Sequence, residues 1–240
     1  MWLAWRPRPA PAAIEYATPS FPQAIAELVR HYPGRLALGC TMDLAEAFGY
    51  YGIFALLSVV VLPKVSISQS AIPFFYIVGN VGALAGGLAM AAVFDRLGRR
   101  RTIVWCYSLA AAGVVLLAAA TASRSALAVT VAYVVSSGLA TAAWTSAYPT
   151  FTELFPTHLR GAGAGASVAV GRIGAICGTF VLPDLATSLG ATASYALVVV
   201  FWLVGVVAMV VYSARGGVEG AGRSLESLTD LRPGLLAPTV

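Results

Sequence analysis

Two acidic residues stand in the first long apolar run of the chain, where ionisable side chains are rare. Asp43 and Glu46 are three residues apart, so on a helix they lie on one face, and Tyr50 continues that face one turn later. A carboxyl group in a partly dry cavity can take up and release a proton near neutral pH. The pair therefore predicts a proton-transfer or solute-binding site. The alternative is a position at the end of the apolar run, near a helix N-terminus, which also favours acids.

Arg172 lies inside the fifth apolar run. It stands about eleven residues, or roughly 17 Å, from the start of that run, which is close to mid-membrane for a spanning helix. A charge at that depth costs about 2.5–3.5 kcal/mol on insertion scales, so it requires an anionic partner or water. We expect Arg172 either to contact an anionic solute or a coupling carboxylate, or to pair structurally with a carboxylate or backbone carbonyls. Asp43 and Glu46 are its obvious partners.

The fourth apolar run carries polar and aromatic side chains on one stripe. Ser137, Thr141 and Trp144 follow one another at spacings of four and three residues, and Thr145 and Tyr148 extend the stripe. Such a stripe suits the wall of a solute cavity. Small polar residues also form hydrogen bonds between membrane helices, so the sequence alone allows both interpretations.

The elements that must hold these residues are six apolar runs, each long enough to cross about 30 Å of hydrocarbon. They cover residues 36–62, 71–93, 102–121, 126–149, 161–182 and 191–213. Only 10% of the residues are charged and 59% are hydrophobic, whereas a soluble domain carries roughly 25% charged residues. We therefore predict an all-α membrane protein with six transmembrane helices in a lipid bilayer.

The orientation of these helices follows from a charged loop. Residues 95–101 place five charges in seven positions between the second and third runs. The positive-inside rule assigns such a loop to the cytoplasm. Twelve of the fifteen basic residues then lie on the cytoplasmic side and two on the other. Both termini are predicted to be cytoplasmic, with residues 1–35 as an N-terminal segment that includes a surface helix at 22–31, and residues 214–240 as a tail.

Several functions are disfavoured by the composition. The net charge of +5 is explained by membrane orientation, so no nucleic-acid partner is predicted. His31 and His158 lie in predicted loops and the three cysteines form no CxxC pair, so we predict no metal site and no cofactor.

Glycine pairs four residues apart predict close contacts between membrane helices. The pairs are Gly82 with Gly86, Gly161 with Gly165, and Gly174 with Gly178.

Three blocks of sequence together resemble a known family. Residues 95–100 have the pattern D-R-x-G-R-R. Residues 148–161 contain Glu, then Phe-Pro, then Arg-Gly, and are followed by Gly-Arg-Ile-Gly at 171–174. Residues 48–52 read Phe-Gly-Tyr-Tyr-Gly, and Pro63 closes their apolar run. In this order and at these helix ends, the blocks resemble the C-terminal half of the major facilitator superfamily, in particular its sugar porters and related metabolite:proton symporters.

The resemblance implies that residues 36–213 form one six-helix half of a twelve-helix fold. The chain would then be a fragment, a truncated gene product or a half that pairs with a second six-helix half. The implied function is secondary active transport of a small organic solute, a sugar or an organic-acid-like metabolite, across the plasma (inner) membrane. Coupling to protons and alternating access are implied as well. From the residues themselves, the expected coupling and substrate residues are Asp43, Glu46, Tyr50, Arg172, Ser137, Thr141 and Trp144.

The resemblance also implies a gating network at the cytoplasmic helix ends. In the family such charges lock the inner ends of the helices and separate as the cavity opens inward. The alternative is that the arginines only hold the loop in the cytoplasm. The expected members are Asp95, Arg96, Gly98, Arg99, Arg100, Glu153 and Arg160.

Two other functions are consistent with six spans. The first is a non-transporting membrane scaffold, or pseudotransporter half, since the family fold has two halves. The second, a remote alternative, is an intramembrane serine protease, which needs a general base beside its nucleophile. Neither histidine lies inside a predicted span, so we predict that the protein is not an enzyme.

Overall fold

A computed structural model describes residues 19–217, and these residues form seven α-helices. The predicted cytoplasmic segments 1–35 and 214–240 therefore lie mostly outside the described residues. The helices are α1 (Phe21–His31), α2 (Pro33–Leu56), α3 (Ile72–Leu97), α4 (Arg99–Ala122), α5 (Ala126–Leu154), α6 (Arg160–Ser188) and α7 (Ala191–Ala214). Helix α2 continues through a π-helical turn, Leu57–Val61, and a last turn, Leu62–Lys64.

Six of these helices, α2 to α7, are long and apolar enough to cross a membrane. The prediction of an all-α protein with six candidate spans is confirmed. The helices extend beyond the predicted spans, for example at α5, which runs to Leu154 rather than to 149, and at α6, which runs to Ser188 rather than to 182. Pro149 lies within α5, where the hydroxyl groups of Thr145 and Thr150 donate to backbone carbonyls one turn earlier. Membrane helices tolerate proline where such side chains and neighbouring helices support the backbone.

Tight connections separate the spanning helices. Gly98 has φ of 79° between α3 and α4, and Gly190 has φ of 91° between α6 and α7. This left-handed region is open to glycine because it has no Cβ. The chain therefore reverses within one residue between α3 and α4 and within two between α6 and α7, and consecutive helices run in opposite directions.

Helix α2 is central to the bundle. It packs along α6 and also contacts α7 and α5, while α5 packs against both α3 and α4, and α4 packs against α7. The residues of α2 meet those of α6 in the same order, since Leu44 lies opposite Gly174 and Phe48 lies opposite Gly178. The two helices are therefore parallel.

Two of the three predicted glycine pairs form close contacts. A Cβ on Gly174 or Gly178 would meet backbone atoms of α2, and one on Gly82 or Gly86 would meet backbone atoms of α5. Gly161 and Gly165 have nothing within 4 Å of an added Cβ among the described residues, so the predicted contact at this pair is wrong. Both are exposed and face away from α2, although Ser167 in the same part of α6 meets Gly39 of α2.

The short surface helix begins at Phe21, one residue before the predicted start. Leu28 is fully buried and Ile25 is half-buried, whereas Phe21 and Val29 are exposed, so only part of the apolar side of this helix packs on the bundle. Glu27 on this helix contacts His158 in the connection before α6, with 3.3 Å between Oε1 and Nε2. Helix α1 is thus attached to the bundle through α6 and α2.

Candidate functional site

Aromatic side chains of α2 and α5 form a cluster around Trp144. The ring of Trp144 lies 5.2 Å from Tyr50 and 6.2 Å from Tyr51, and it stacks on Tyr148 at 5.6 Å, all between ring centroids. All four side chains are half-buried, so part of each ring is accessible. Helices α2 and α5 place them together because Tyr50 and Tyr51 occupy the middle of one, and Trp144 and Tyr148 lie one turn apart on the other.

Arg172 of α6 lies beside this cluster. Its Nη1 donates a hydrogen bond to the Tyr51 hydroxyl at 3.2 Å, and its guanidinium carbon is 5.4 Å from the centre of the Tyr51 ring. The side chain is exposed, and among residues 19–217 it forms no ion pair with Asp43 or Glu46. The predicted partners of Arg172 are therefore replaced by Tyr51. We call Arg172, Tyr50, Tyr51, Trp144 and Tyr148 the Arg172 site.

Asp43 lies inside the contact between α2 and α6. It is 1% exposed, and its carboxyl group packs so closely on Gly171 that no Cβ fits there. Oδ2 has no hydrogen-bond partner among the described residues. Asp43 is thus adjacent to the residue before Arg172, although the two side chains do not pair.

Glu46 faces a different neighbour from Asp43. It is also 1% exposed, and the Tyr107 hydroxyl of α4 donates to its Oε2 at 2.7 Å. Several helices surround α2, so two side chains three residues apart on it can face different neighbours. The carboxyl group of Glu46 therefore faces α4 rather than α6. Glu46 therefore lies behind the Arg172 site rather than in it.

The predicted stripe of the fourth run is divided between two environments. Trp144 belongs to the Arg172 site, whereas Ser137 is buried and lines a partly open cavity of about 20 Å³ that Tyr50 also borders. In this conformation the volume accommodates about one water molecule and is too small for an organic solute. Thr141 is half-buried, with a buried Oγ1 that has no hydrogen-bond partner among the described residues.

At the end of the bundle that carries the α3–α4 connection, Arg99 joins three helices. Its Nε and Nη2 each donate to Glu153 of α5 at 2.7 Å, and its Nη1 donates to Asp95 of α3 at 2.9 Å. The guanidinium carbon also lies 4.3 Å from the centre of the Phe94 ring. We call Asp95, Arg99 and Glu153 the Arg99 network.

The other predicted network members have different contacts. Arg160 donates to the Thr152 carbonyl oxygen at 2.8 Å and so caps the end of α5, and Arg100 donates to the Gly217 carbonyl oxygen. Arg96 is exposed and forms no hydrogen bond within residues 19–217, and Gly98 supplies the turn described above. Unpaired carbonyls at a helix end are common binding points for arginine, which explains why Arg160 does not pair with Glu153.

Sequence reasoning missed two residues that contact the predicted ones. Tyr51 follows Tyr50 directly in the 48–52 block, so its proximity to Arg172 could have been considered from that block. Tyr107 lies within an apolar run, and nothing local marks it as the neighbour of Glu46. The described residues also contain no group of three His, Cys, Asp or Glu side chains that could hold a metal ion.

Comparison with known protein families adds a decisive observation. The family model described as "Sugar (and other) transporter" matches residues 12–231, which is nearly the whole chain. The chain belongs to this sugar transporter family. It is accordingly a multi-pass membrane protein of the major facilitator superfamily, with the architecture of one six-helix half. A search of curated proteins found no significant match.

Membership of the sugar transporter family indicates the general function of the protein. The protein is a transporter that acts on a small-molecule solute, a sugar or another solute, which favours transport over the protease alternative.

Proposed function

We propose that the chain supplies a solute site of a proton-coupled secondary transporter, and that Arg172 binds the anionic group of an organic-acid-like metabolite there. The observation that carries the proposal is the exposed guanidinium of Arg172, held by Tyr51 next to the other aromatic rings of the site. Only one of its five N–H donors has a partner among the described residues.

The chemistry of this site favours an organic acid over a neutral sugar. A guanidinium can donate two parallel hydrogen bonds to a carboxylate, which a hydroxyl group cannot accept in the same way. Trp144, Tyr50 and Tyr148 offer flat apolar surface beside the charge. A planar or short apolar carboxylate matches both features.

We further propose that the two buried carboxyl groups of α2 carry the coupled proton. The Oδ2 atom of Asp43 has no hydrogen-bond partner among the described residues, and its carboxyl group lies against Gly171, the residue before Arg172. Glu46 is completely enclosed. Neither has a basic hydrogen-bond partner among the described residues, so each is easier to accommodate with its proton than without it. An anion that binds at Arg172 would change the electrostatic field at Asp43 more directly than at Glu46.

Transport would proceed by alternating access with a second six-helix half. Large apolar side chains of α3 and α6 are exposed, among them Leu84, Leu88, Ile173 and Phe180, and such surfaces require lipid or another half. The Arg99 network would close the cytoplasmic ends of the helices and separate when the cavity opens inward. We place the protein in the plasma (inner) membrane with both termini in the cytoplasm, as the charge distribution favours.

The test is binding of radiolabelled benzoate and glucose to the purified full-length chain in lipid nanodiscs. Benzoate represents a flat carboxylate and glucose a neutral sugar. Loss of a charged hydrogen bond is worth about 1.5–3 kcal/mol, so Arg172→Gln should weaken benzoate binding by about 10- to 100-fold. The matched control is Arg124→Gln in the α4–α5 connection, which should leave binding unchanged. Equal effects of the two substitutions, or tighter binding of glucose than of benzoate, would contradict the proposal. Absence of binding to either probe would favour a non-transporting scaffold.

A further inference from the structure

The environment of Glu46 involves three helices. Tyr107 of α4, which is fully buried, donates to Oε2 of Glu46. The Tyr107 ring lies against Gly205 of α7, where an added Cβ would come within 2.6 Å of Cε1, and it meets the Trp202 ring edge-on at 5.0 Å. Glycine at 205 therefore makes room for the ring that reaches Glu46. We call Glu46, Tyr107, Trp202 and Gly205 the Glu46 joint.

No cation compensates the carboxyl group in this joint. The titratable groups that interact with Glu46 are Asp43 on its own helix, Cys106 and Tyr107 on α4, and Tyr148 on α5. None of them is basic, and the side chains of the joint on α7 do not titrate. Because Tyr107 donates to Oε2, the proton of the neutral acid belongs on Oε1, which has no hydrogen-bond partner among the described residues.

This arrangement favours a neutral carboxyl group, because the single hydroxyl donor, Tyr107, does not replace a cation. An ionised carboxylate enclosed by apolar groups and without a cation costs several kcal/mol, which is comparable to the free-energy difference between two conformations of a protein. Loss of the proton would therefore favour any rearrangement that brings water to Glu46. The nearest such rearrangement separates α2 from α4 and α7.

We propose that Glu46 is a proton-dependent latch between α2 and the α4–α7 pair, positioned by Tyr107 and separate from the solute site. The protonated joint holds α2 as described above. When the joint opens, the proton passes from Oε1 to an entering water molecule and leaves to bulk water as hydronium, and further water molecules solvate the carboxylate that remains. The inference deepens the proposed proton coupling, on which it rests, by assigning Glu46 to conformational control and leaving Asp43 next to the solute.

The chain contains a natural reporter of this movement. Cys106, next to Tyr107, is 4% exposed and lies close to both Glu46 and Ser146 of α5, so its thiol should become more accessible when the helices around the joint separate. The experiment measures N-ethylmaleimide labelling of Cys106 in the full chain with Cys40→Ser and Cys177→Ser, in nanodiscs, from mildly acidic to mildly alkaline buffer. Each rate is divided by the rate for the SDS-unfolded chain at the same pH, which removes the intrinsic effect of pH on the thiol.

We expect the normalised labelling rate to rise on the order of tenfold toward alkaline pH, as an open state of low population becomes common. Glu46→Gln keeps the side-chain volume and can still accept from Tyr107, but it has no proton to lose, so its profile should be flat. Tyr107→Phe should shift the midpoint of the profile along the pH axis. A purely structural role of Tyr107 would instead raise labelling equally at every pH.

The matched control is Tyr195→Phe. Tyr195 of α7 is 2% exposed and its hydroxyl pairs with Thr121 of α4 at 2.8 Å, so this substitution removes a hydroxyl contact between two of the same helices without an acid. The midpoint of the Cys106 labelling profile should be the same in Tyr195→Phe as in the unsubstituted chain.

A pH-independent labelling rate in the unsubstituted chain, or a Glu46→Gln variant that retains the full pH dependence, would overturn the latch. A Tyr107→Phe midpoint that does not move would overturn the positioning role. Benzoate binding tests the Arg172 site separately, because a loss of benzoate binding should leave the labelling of Cys106 unaffected.

Discussion

The contact between α2 and α6 allows a prediction with an internal control on one helix. An alanine Cβ at Gly178 would collide with the carbonyl group of Phe48, and its distances to the carbonyl carbon and Cα of that residue would be only 3.1 and 3.2 Å. These are backbone atoms, which cannot rotate away as a side chain can. An alanine Cβ at Gly165 would meet nothing within 4 Å among the described residues.

The size of the effect follows from two opposing terms. Overpacking a close contact costs about 1–3 kcal/mol. Replacing glycine by alanine inside a helix returns about 0.8–1 kcal/mol through helix propensity. Because the colliding atoms are backbone, the upper part of the first range applies, and Gly178→Ala should lower the free energy of unfolding by about 1–2 kcal/mol. Gly165→Ala should raise it by about 0.5–1 kcal/mol, since only the second term acts.

Thermal unfolding in detergent, followed by intrinsic tryptophan fluorescence, measures both variants. For a chain of this size, 1 kcal/mol corresponds to about 2–4 °C in Tm, so Gly178→Ala should lower Tm by about 2–8 °C. Gly165→Ala should raise Tm by a few degrees. If Gly178→Ala is as stable as Gly165→Ala, the close parallel contact of α2 with α6 is not what holds the two helices together.

Three further substitutions test other parts of the structure. Arg99→Gln removes the bidentate contact with Glu153 and should lower the free energy of unfolding by about 1–3 kcal/mol, whereas Arg96→Gln should change it by less than about 0.5 kcal/mol, both measured by thermal unfolding. Leu28→Ala removes a fully buried anchor of α1 at a cost of about 2–5 kcal/mol, so limited proteolysis should cleave this helix faster, and equal cleavage after substitution of an exposed α1 residue would argue against that anchor. Gly98→Ala places a Cβ at φ of 79° and should cost about 1–3 kcal/mol, seen as a lower Tm.

Glycine spacing illustrates what a pattern can predict about packing. Gly161 with Gly165 and Gly174 with Gly178 have the same spacing on the same helix, and the sequence predicts a close contact for both pairs. Only the second pair faces α2, because the contact depends on where a parallel neighbour approaches α6. Spacing identifies helices that can pack closely, and the position of the neighbour selects the glycines that are used.

The two carboxyl groups of α2 make the same point for the candidate site. Spacing places Asp43 and Glu46 on one helix face, and on an isolated helix they would share one environment. In the bundle, α2 has neighbours on several sides, so Asp43 packs against Gly171 of α6 while Glu46 accepts from Tyr107 of α4. Arg172 likewise meets Tyr51 rather than either acid.

The sequence by itself determined the six membrane-length helices and the transporter family, because apolar length is a local property and the family blocks are contiguous stretches. It also placed Asp95, Arg99 and Glu153 at the same end of the bundle, since charge is excluded from hydrocarbon. Only the tertiary structure decided which buried acid lies near Arg172, which is enclosed behind it, and which glycines touch backbone. Those outcomes depend on how each helix is rotated against neighbours far away in the chain, and rotation is set by the packing of the whole bundle.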